Sequence, residues 1–187
     1  MPAELLVAPA VEPLTLGEAK LFLRLDGSDE DDLVTAFILA ARLAVEQLSR
    51  RLLIDQTWRV TFDRVPKSRL LKLPLMPVRS VVSLSVVDAD GASTTVDPSA
   101  YETDFTGGEA RIAVTDPTLP GVRLAGIEVR VQAGYGTAAE DVPEPLRQAM
   151  RLLVAHWYEH RGDVAANGIP DAVVSLLQPF RRLGLGA

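Results

Sequence analysis

His156-Trp157-Tyr158-Glu159-His160 is the stretch of this sequence whose residue types and spacing match a catalytic motif. Two histidines four apart share a helix face, where their imidazoles can hold zinc while Glu159 activates a water, the H-x-x-E-H arrangement of a zinc-dependent peptidase. Such a site takes a third protein ligand, normally a glutamate well downstream, and the acids that follow here are Asp163 and Asp171. Trp157 also belongs to the apolar stripe of the same helix. A plainer account is a helix C-terminus whose last turn sets His160 and Arg161 against the helix dipole. Peptidase chemistry through His156, Glu159 and His160 is the weaker alternative, because a motif without its context carries little.

The remaining candidates are thinner. Gly134-Tyr135-Gly136 lacks the third glycine and the strand-to-helix setting of a dinucleotide loop, and reads as a turn. The run Asp29, Glu30, Asp31, Asp32 lacks the spacing of a calcium loop and reads as helix N-terminal charge. No serine sits in a G-x-S-x-G elbow. The chain contains no cysteine, which removes disulfides, thiolate metal sites and cysteine nucleophiles. Neither an enzyme nor a cofactor is expected.

The elements around these residues follow from periodicity and punctuation. Thr15-Leu16-Gly17-Glu18 is a capping box that starts a short helix over about 16–24. Asp26-Gly27-Ser28 breaks it, and Ser28 is expected to cap a second helix from near 30 to 53, with Leu33, Phe37, Ala40, Ala41, Ala44, Val45, Leu48 and Leu52 on its apolar face. From Gln56 the period becomes two, with Trp58, Val60 and Phe62 alternating against polar residues. Strands are expected at 80–88, at 93–97 after an Asp90-Gly91 turn, at 101–103, at 111–114 and at 127–133. Helix returns after Pro143, with Asp141 as cap and Leu146, Ala149, Met150, Leu153, Val154 and Trp157 as its stripe, and Asp171–Leu177 makes a last short helix. The fold class is α+β: a helical core over 14–54 and 142–162, with two N-terminal and one or two C-terminal helices, and an antiparallel β insertion over 56–134. Residues 1–13 read as an N-terminal extension, and 163–187 as a C-terminal arm.

The 187 residues suffice for one domain with a docking extension. Residues 1–35 hold eight acids against Lys20 and Arg24, which accounts for the net charge of −6, while the rest of the chain balances 17 acids with 17 bases. No basic stripe exists to neutralise phosphates, so nucleic acid should not stick. The start MPAELLVAPAVEP has no basic n-region, and no apolar run approaches the roughly 20 residues a membrane span needs, so a cytosolic protein is expected.

The last apolar stretch has little left to pack against. Leu176, Leu177, Phe180, Leu183 and Leu185 would each gain roughly 1.5 to 3 kcal/mol on burial, against about 1 to 2 kcal/mol for each residue ordered. One copy would bind a partner weakly, and many copies on a ring would gain avidity. The expectation is an end that is under-buried in its own subunit.

Several segments in order resemble the head-tail connector (adaptor, or head-completion) family of long-tailed bacteriophages and phage-like gene transfer agents. They are PLTLGEAKLFLRLD at 13–26, DEDDL at 29–33, RRLLIDQTW at 50–58, LPLMPVRSV at 73–81, VDADGA at 87–92, VPEPLRQA at 142–149, HWYEHR at 156–161 and LLQPFR at 176–181. The resemblance spans about 13–182. It implies a non-enzymatic, typically dodecameric ring between a portal protein and a stopper or tail-terminator protein, with helices in the ring wall. It also implies assembly in the bacterial cytoplasm, residence in the neck of the particle, and a lumen that DNA crosses without specific binding or membrane contact. The terminal motif implies portal binding through Leu176, Leu177, Pro179, Phe180 and Arg181, extended to Arg182, Leu183 and Leu185. An acidic lumen would repel phosphates, which makes Asp29, Glu30, Asp31 and Asp32 the expected channel-lining residues.

Overall fold

The computed structural model describes residues 2–106, 108–115, 119, 122–161 and 168–181. The chain divides into two units, one formed by Met1–Pro9 with Asp55–Tyr135 and the other by Ala10–Ile54 with Gly136–Ala187.

The first unit is all β. Strand β1 (Ala3–Val7) pairs antiparallel with β2 (Gln56–Phe62), which pairs in unbroken register with β8 (Ile127–Ala133), from Gln56 opposite Ala133 to Phe62 opposite Ile127. Strand β4 (Val78–Val87) lies on the other side of β8 with two bulges, and β5 (Ser93–Thr95) closes the order β1-β2-β8-β4-β5. The turn between β4 and β5 is held by the Asp88 carboxylate, which accepts from the backbone of Asp90 and Ala92, with Gly91 at φ 80°. A second sheet runs β3-β7-β6, from β3 (Leu70–Leu73), β6 (Tyr101–Asp104) and β7 (Ala110–Val114). One face of each sheet is buried: Val60, Phe62, Leu84, Val129 and Val131 on the first, Leu71, Leu73, Ile112 and Val114 on the second. Gly126 is required at the start of β8, where a Cβ would stand 2.1 Å from the Val122 carbonyl oxygen.

Within the expected N-terminal extension of residues 1–13, Ala3–Val7 form a strand paired to β2. All five strand residues are exposed, so they show no alternation from which pairing could be read.

The second unit is helical. Helix α1 (Leu16–Leu23) has the expected capping box, with the Thr15 amide donating to Glu18 Oε2 at 2.9 Å and the Glu18 amide to Thr15 Oγ1 at 3.2 Å. Helix α2 (Asp31–Ser49) differs from expectation at both ends. Glu30 precedes it with no side-chain cap, so Ser28 does not cap, and Asp31 and Asp32 supply first-turn charge instead. It stops at Arg50, in the left-handed region at φ 55°, because Ser49 Oγ back-bonds to the Val45 carbonyl at 2.6 Å and the Leu53 amide donates to Glu46 Oε1 at 3.0 Å.

The buried face of α2 is Val34, Ile38, Ala41, Arg42, Val45 and Ser49, turned by about a quarter-turn from the expected one. Helix α3 (Glu144–Glu159) buries Leu146, Ala149, Met150, Leu153 and Val154 as its spacing predicts. Its cap is Pro143; Asp141 instead closes the preceding 3₁₀ turn by accepting from the Ala138 amide at 3.0 Å. Helix α4 (Asp171–Leu177) packs on α3 through Val173 and Leu177, and a 3₁₀ turn follows at Gln178–Phe180.

Candidate functional site: acidic hollow, C-terminal helix and outer helix face

The H-x-x-E-H residues sit in the last turns of α3 and do not assemble into a metal centre. The His160 ring nitrogen Nδ1 lies 2.8 Å from the His156 carbonyl oxygen, and the two rings meet tilted at 38° with their centroids 4.6 Å apart. Trp157 leans on Phe37 of α2 at 6.4 Å, and the Tyr158 hydroxyl donates a hydrogen bond to the Glu30 carboxylate. Among the described residues no group of three or more His, Asp or Glu could hold a metal ion. Asp163 lies outside the described residues, and Asp171 opens α4. The motif is spent on helix-end structure.

The four expected channel acids separate into two pairs. Glu30 accepts from Tyr158 and from Arg161 at 2.6 Å, and Arg161 lies 4.6 Å over the Tyr158 ring. The hydrogen bond from Tyr158, then that from Arg161, holds the Glu30 carboxyl below its ordinary range, and the same bond raises the Tyr158 hydroxyl above its own. Asp31 pairs with Lys20 at 2.5 Å, and Lys20 also donates to the Gly27 carbonyl. Asp29 and Asp32 are exposed. Lys20, Leu25, Asp26, Gly27, Asp29, Glu30 and Asp31 line an open hollow of about 200 Å³.

The C-terminal segment is more buried than the sequence implies. Leu177 is 1% exposed and Val173 0%, four residues apart on one face of α4. The Phe180 carbonyl accepts from Arg51 Nε at 3.1 Å, and the Arg181 amide bonds back to the carbonyls of Leu177 and Gln178. The expectation of an under-buried end is overturned for Leu177, which gives its side chain to its own subunit. Leu176 and Phe180 are half-buried, while Pro179 and Arg181 are exposed. Arg182, Leu183 and Leu185 lie outside the described residues.

Sequence reasoning missed the outer face of α2. Leu39 is 44% and Leu43 53% exposed, with exposed Ala36 and Ala40 beside them, and α1 turns out Leu21 at 82% and Phe22 at 42%. The signal was present in the composition of α2, which is apolar on nearly every face.

A framework of buried and half-buried ions joins the helical unit. Arg42, 7% exposed, donates to Glu12 at 2.8 Å and to Glu46 at 3.2 Å. Arg147 donates to the Pro13 carbonyl at 2.9 Å and to Glu18 at 2.5 Å. Burial opposes the charge on Glu18, but hydrogen bonds from Thr15 and the nearby Arg147 outweigh it and hold the carboxyl below its ordinary value.

Residues 12–183 match the family described as Head completion protein. Three solved structures share the fold over 100% of this chain and 99% of their own. They are described as the neck of an empty GTA particle computed with C6 symmetry (29% identity, TM-score 0.85), the virion of a native gene transfer agent particle (29%, 0.83) and the neck of a native GTA particle computed with C12 symmetry (28%, 0.80). No curated protein matches the chain.

Proposed function

The chain belongs to the head completion protein family, and from that premise we propose that it is a structural head-tail adaptor. It forms a ring in the neck of a phage-like particle, between the portal protein and a stopper or tail-terminator protein, and extends the channel through which DNA passes. The observation that carries this reading is likeness over the whole chain, at a TM-score of 0.85, to a protein of a gene transfer agent neck. Symmetries of C6 and C12 in those neck structures favour a closed ring, dodecameric in the simplest case. The peptidase alternative has no support, since His156 and His160 find no third ligand among the described residues.

Within this reading the portal-docking surface is Leu176, Pro179, Phe180 and Arg181, continued by Arg182, Leu183 and Leu185, with Leu177 as the root that holds it to the subunit. Of the four acids, Asp29 is exposed and keeps its charge unshared with a cation in the described contacts, and it is best suited to face a lumen. Glu30 and Asp31 instead brace the start of α2.

The test is complementation in cells that produce the particles. Without the chain, DNA-filled heads should accumulate without tails, and the full chain should restore tailed particles. Phe180→Asp with Arg181→Glu should leave the subunit folded but fail to restore them. Tailed particles forming in the complete absence of the chain would sink the adaptor reading.

A further inference from the structure

Resting on the ring reading above, we propose that the outer face of α2, from Asp32 through Ala36 and Leu39 to Leu43, is covered by a second copy of this chain. The neighbour presents the end of its α1, with Leu21, Phe22 and Arg24.

Two helices of the same unit show what this face is not. Helix α3 turns Glu144, Gln148, Arg151 and Glu159 outward and buries one apolar stripe, the pattern of a helix whose outside stays in water. Helix α2 is apolar inside through Val34, Ile38, Ala41 and Val45, and apolar outside through Ala36, Leu39, Ala40 and Leu43. At 100° per residue, Asp32, Leu39 and Leu43 fall within about 40° of one another, so they form one row along the helix. The alanines beside that row leave a groove that a side chain can enter.

Charge selects the occupant. Copies of a chain with net charge −6 repel one another unless they meet where acids are absent or answered. The row carries one charge, the exposed Asp32 at its head, because Arg42 is turned inward to Glu12 and Glu46. On α1, Leu21 lies about half a turn from the buried Ala19, next to Phe22, and the exposed Arg24 closes the helix in the left-handed conformation. One patch is thus apolar with an acid at its edge, the other apolar with a base at its edge. A closed ring needs two such different, complementary patches on each subunit.

The exposed parts of these four large side chains amount to a few hundred Å², well short of the roughly 800 Å² per partner of a stable pair. Pairs should therefore be weak alone and held by ring closure.

The absence of cysteine makes the test clean. Leu21→Cys and Leu43→Cys are made as separate full-length proteins, each with one thiol, and treated with a short bismaleimide alone and mixed, in solution up to the solubility limit and in assembled particles. The expected result is a covalent two-chain product in the mixture and little with either protein alone, with a ladder of larger products when both thiols share one chain. Leu39→Glu should reduce the yield by about tenfold or more. Asp32→Arg should reduce it too, and Arg24→Asp in the opposing chain should restore it. A product from Leu43→Cys alone shows the row meeting itself and overturns the pairing, as does a mixture that gives none in either setting. Tailed particles that contain the chain but give no cross-link remove this interface and leave the adaptor reading intact; particles without the chain remove the adaptor reading itself.

Discussion

Replacing Arg42 by methionine keeps most of the apolar stem and deletes the cation that Glu12 and Glu46 share. The guanidinium side chain is 8% exposed and Glu46 10%, whereas Glu12, at 32%, can turn to water. Glu46 would keep a buried carboxylate without that cation, a situation that costs about 3 to 5 kcal/mol. Against a total stability of roughly 5 to 15 kcal/mol for an ordinary domain, the loss is a large fraction. Glu46→Gln is milder, because an amide oxygen can still accept from Leu53, so about 1 to 2 kcal/mol is expected. The double variant Arg42→Met, Glu46→Gln removes both charges together and should cost about 2 to 3 kcal/mol, below the sum of the singles by 2 kcal/mol or more. Urea unfolding followed by the helical signal at 222 nm reads the helical unit, since β1 to β8 contribute little there. An Arg42→Met loss under about 1 kcal/mol, or a double variant that equals the sum, would refute the claim that this ion set ties Glu12 and α2 to the Leu53 backbone.

Leu177→Ala should destabilise the helical unit by about 2 to 5 kcal/mol through the cavity it leaves. An unchanged urea midpoint would show that Leu177 is not a core residue and return it to the docking surface. The hydrogen bond that Tyr158 donates to Glu30 should hold its ionisation above the ordinary tyrosine range. Absorbance at 295 nm on raising the pH should lose a step above that range in Tyr158→Phe; a variant that loses a step within the ordinary range would contradict the contact. The raised pKa means that the contribution of Tyr158 is complete below pH 10 and fades as the pH climbs through the folded value. The lowered one on Glu30 means that its contribution is complete above pH 4.5 and fades as the pH falls through the folded value. The Glu30–Tyr158 contact should thus hold between those limits, which nuclear magnetic resonance of the Tyr158 ring can follow.

What was legible in the sequence was what one local rule decides. The Thr15 to Glu18 capping box, strand β8 and the α3 stripe each rest on a single period or motif, and each stands where expected. Strand β1 was illegible because its partner, β2, lies some fifty residues on and none of its side chains is buried. Strand β3 was hidden by shortness, four residues between Pro66 and Pro74. The face of α2 could not be chosen from periodicity because leucines and alanines surround it, and only tertiary contacts select Val34 and Ile38 over Leu33 and Phe37. A helix with an apolar inside and an apolar outside has lost the contrast on which sequence reading depends. The end of α2 was missed for a different reason, since its stop is made by Glu46 reaching forward to the Leu53 amide rather than by a glycine or proline.

The burial of Leu177 changes how a C-terminal docking surface would work. An end that was loose in the free subunit would be ordered at the moment of binding, at about 1 to 2 kcal/mol for each residue, and would consume most of what its leucines gain. Asp171 to Arg181 are instead ordered by the subunit's own folding, through Val173 and Leu177 on α3 and the Arg51 bond to Phe180. Half-buried Leu176 and Phe180 then have only their remaining exposed surface to offer, about 1 kcal/mol or so apiece, but they offer it from a fixed position. A contact of that size is negligible for one subunit and considerable for a ring, because each further copy engages a partner already held in place. The same reasoning makes a sharp demand: loosening the root by Arg51→Ala, which removes the bond to the Phe180 carbonyl, should weaken portal attachment while the docking residues themselves stay unchanged. Attachment that is indifferent to Arg51 would mean that Leu176 to Arg181 do not act as a pre-set surface.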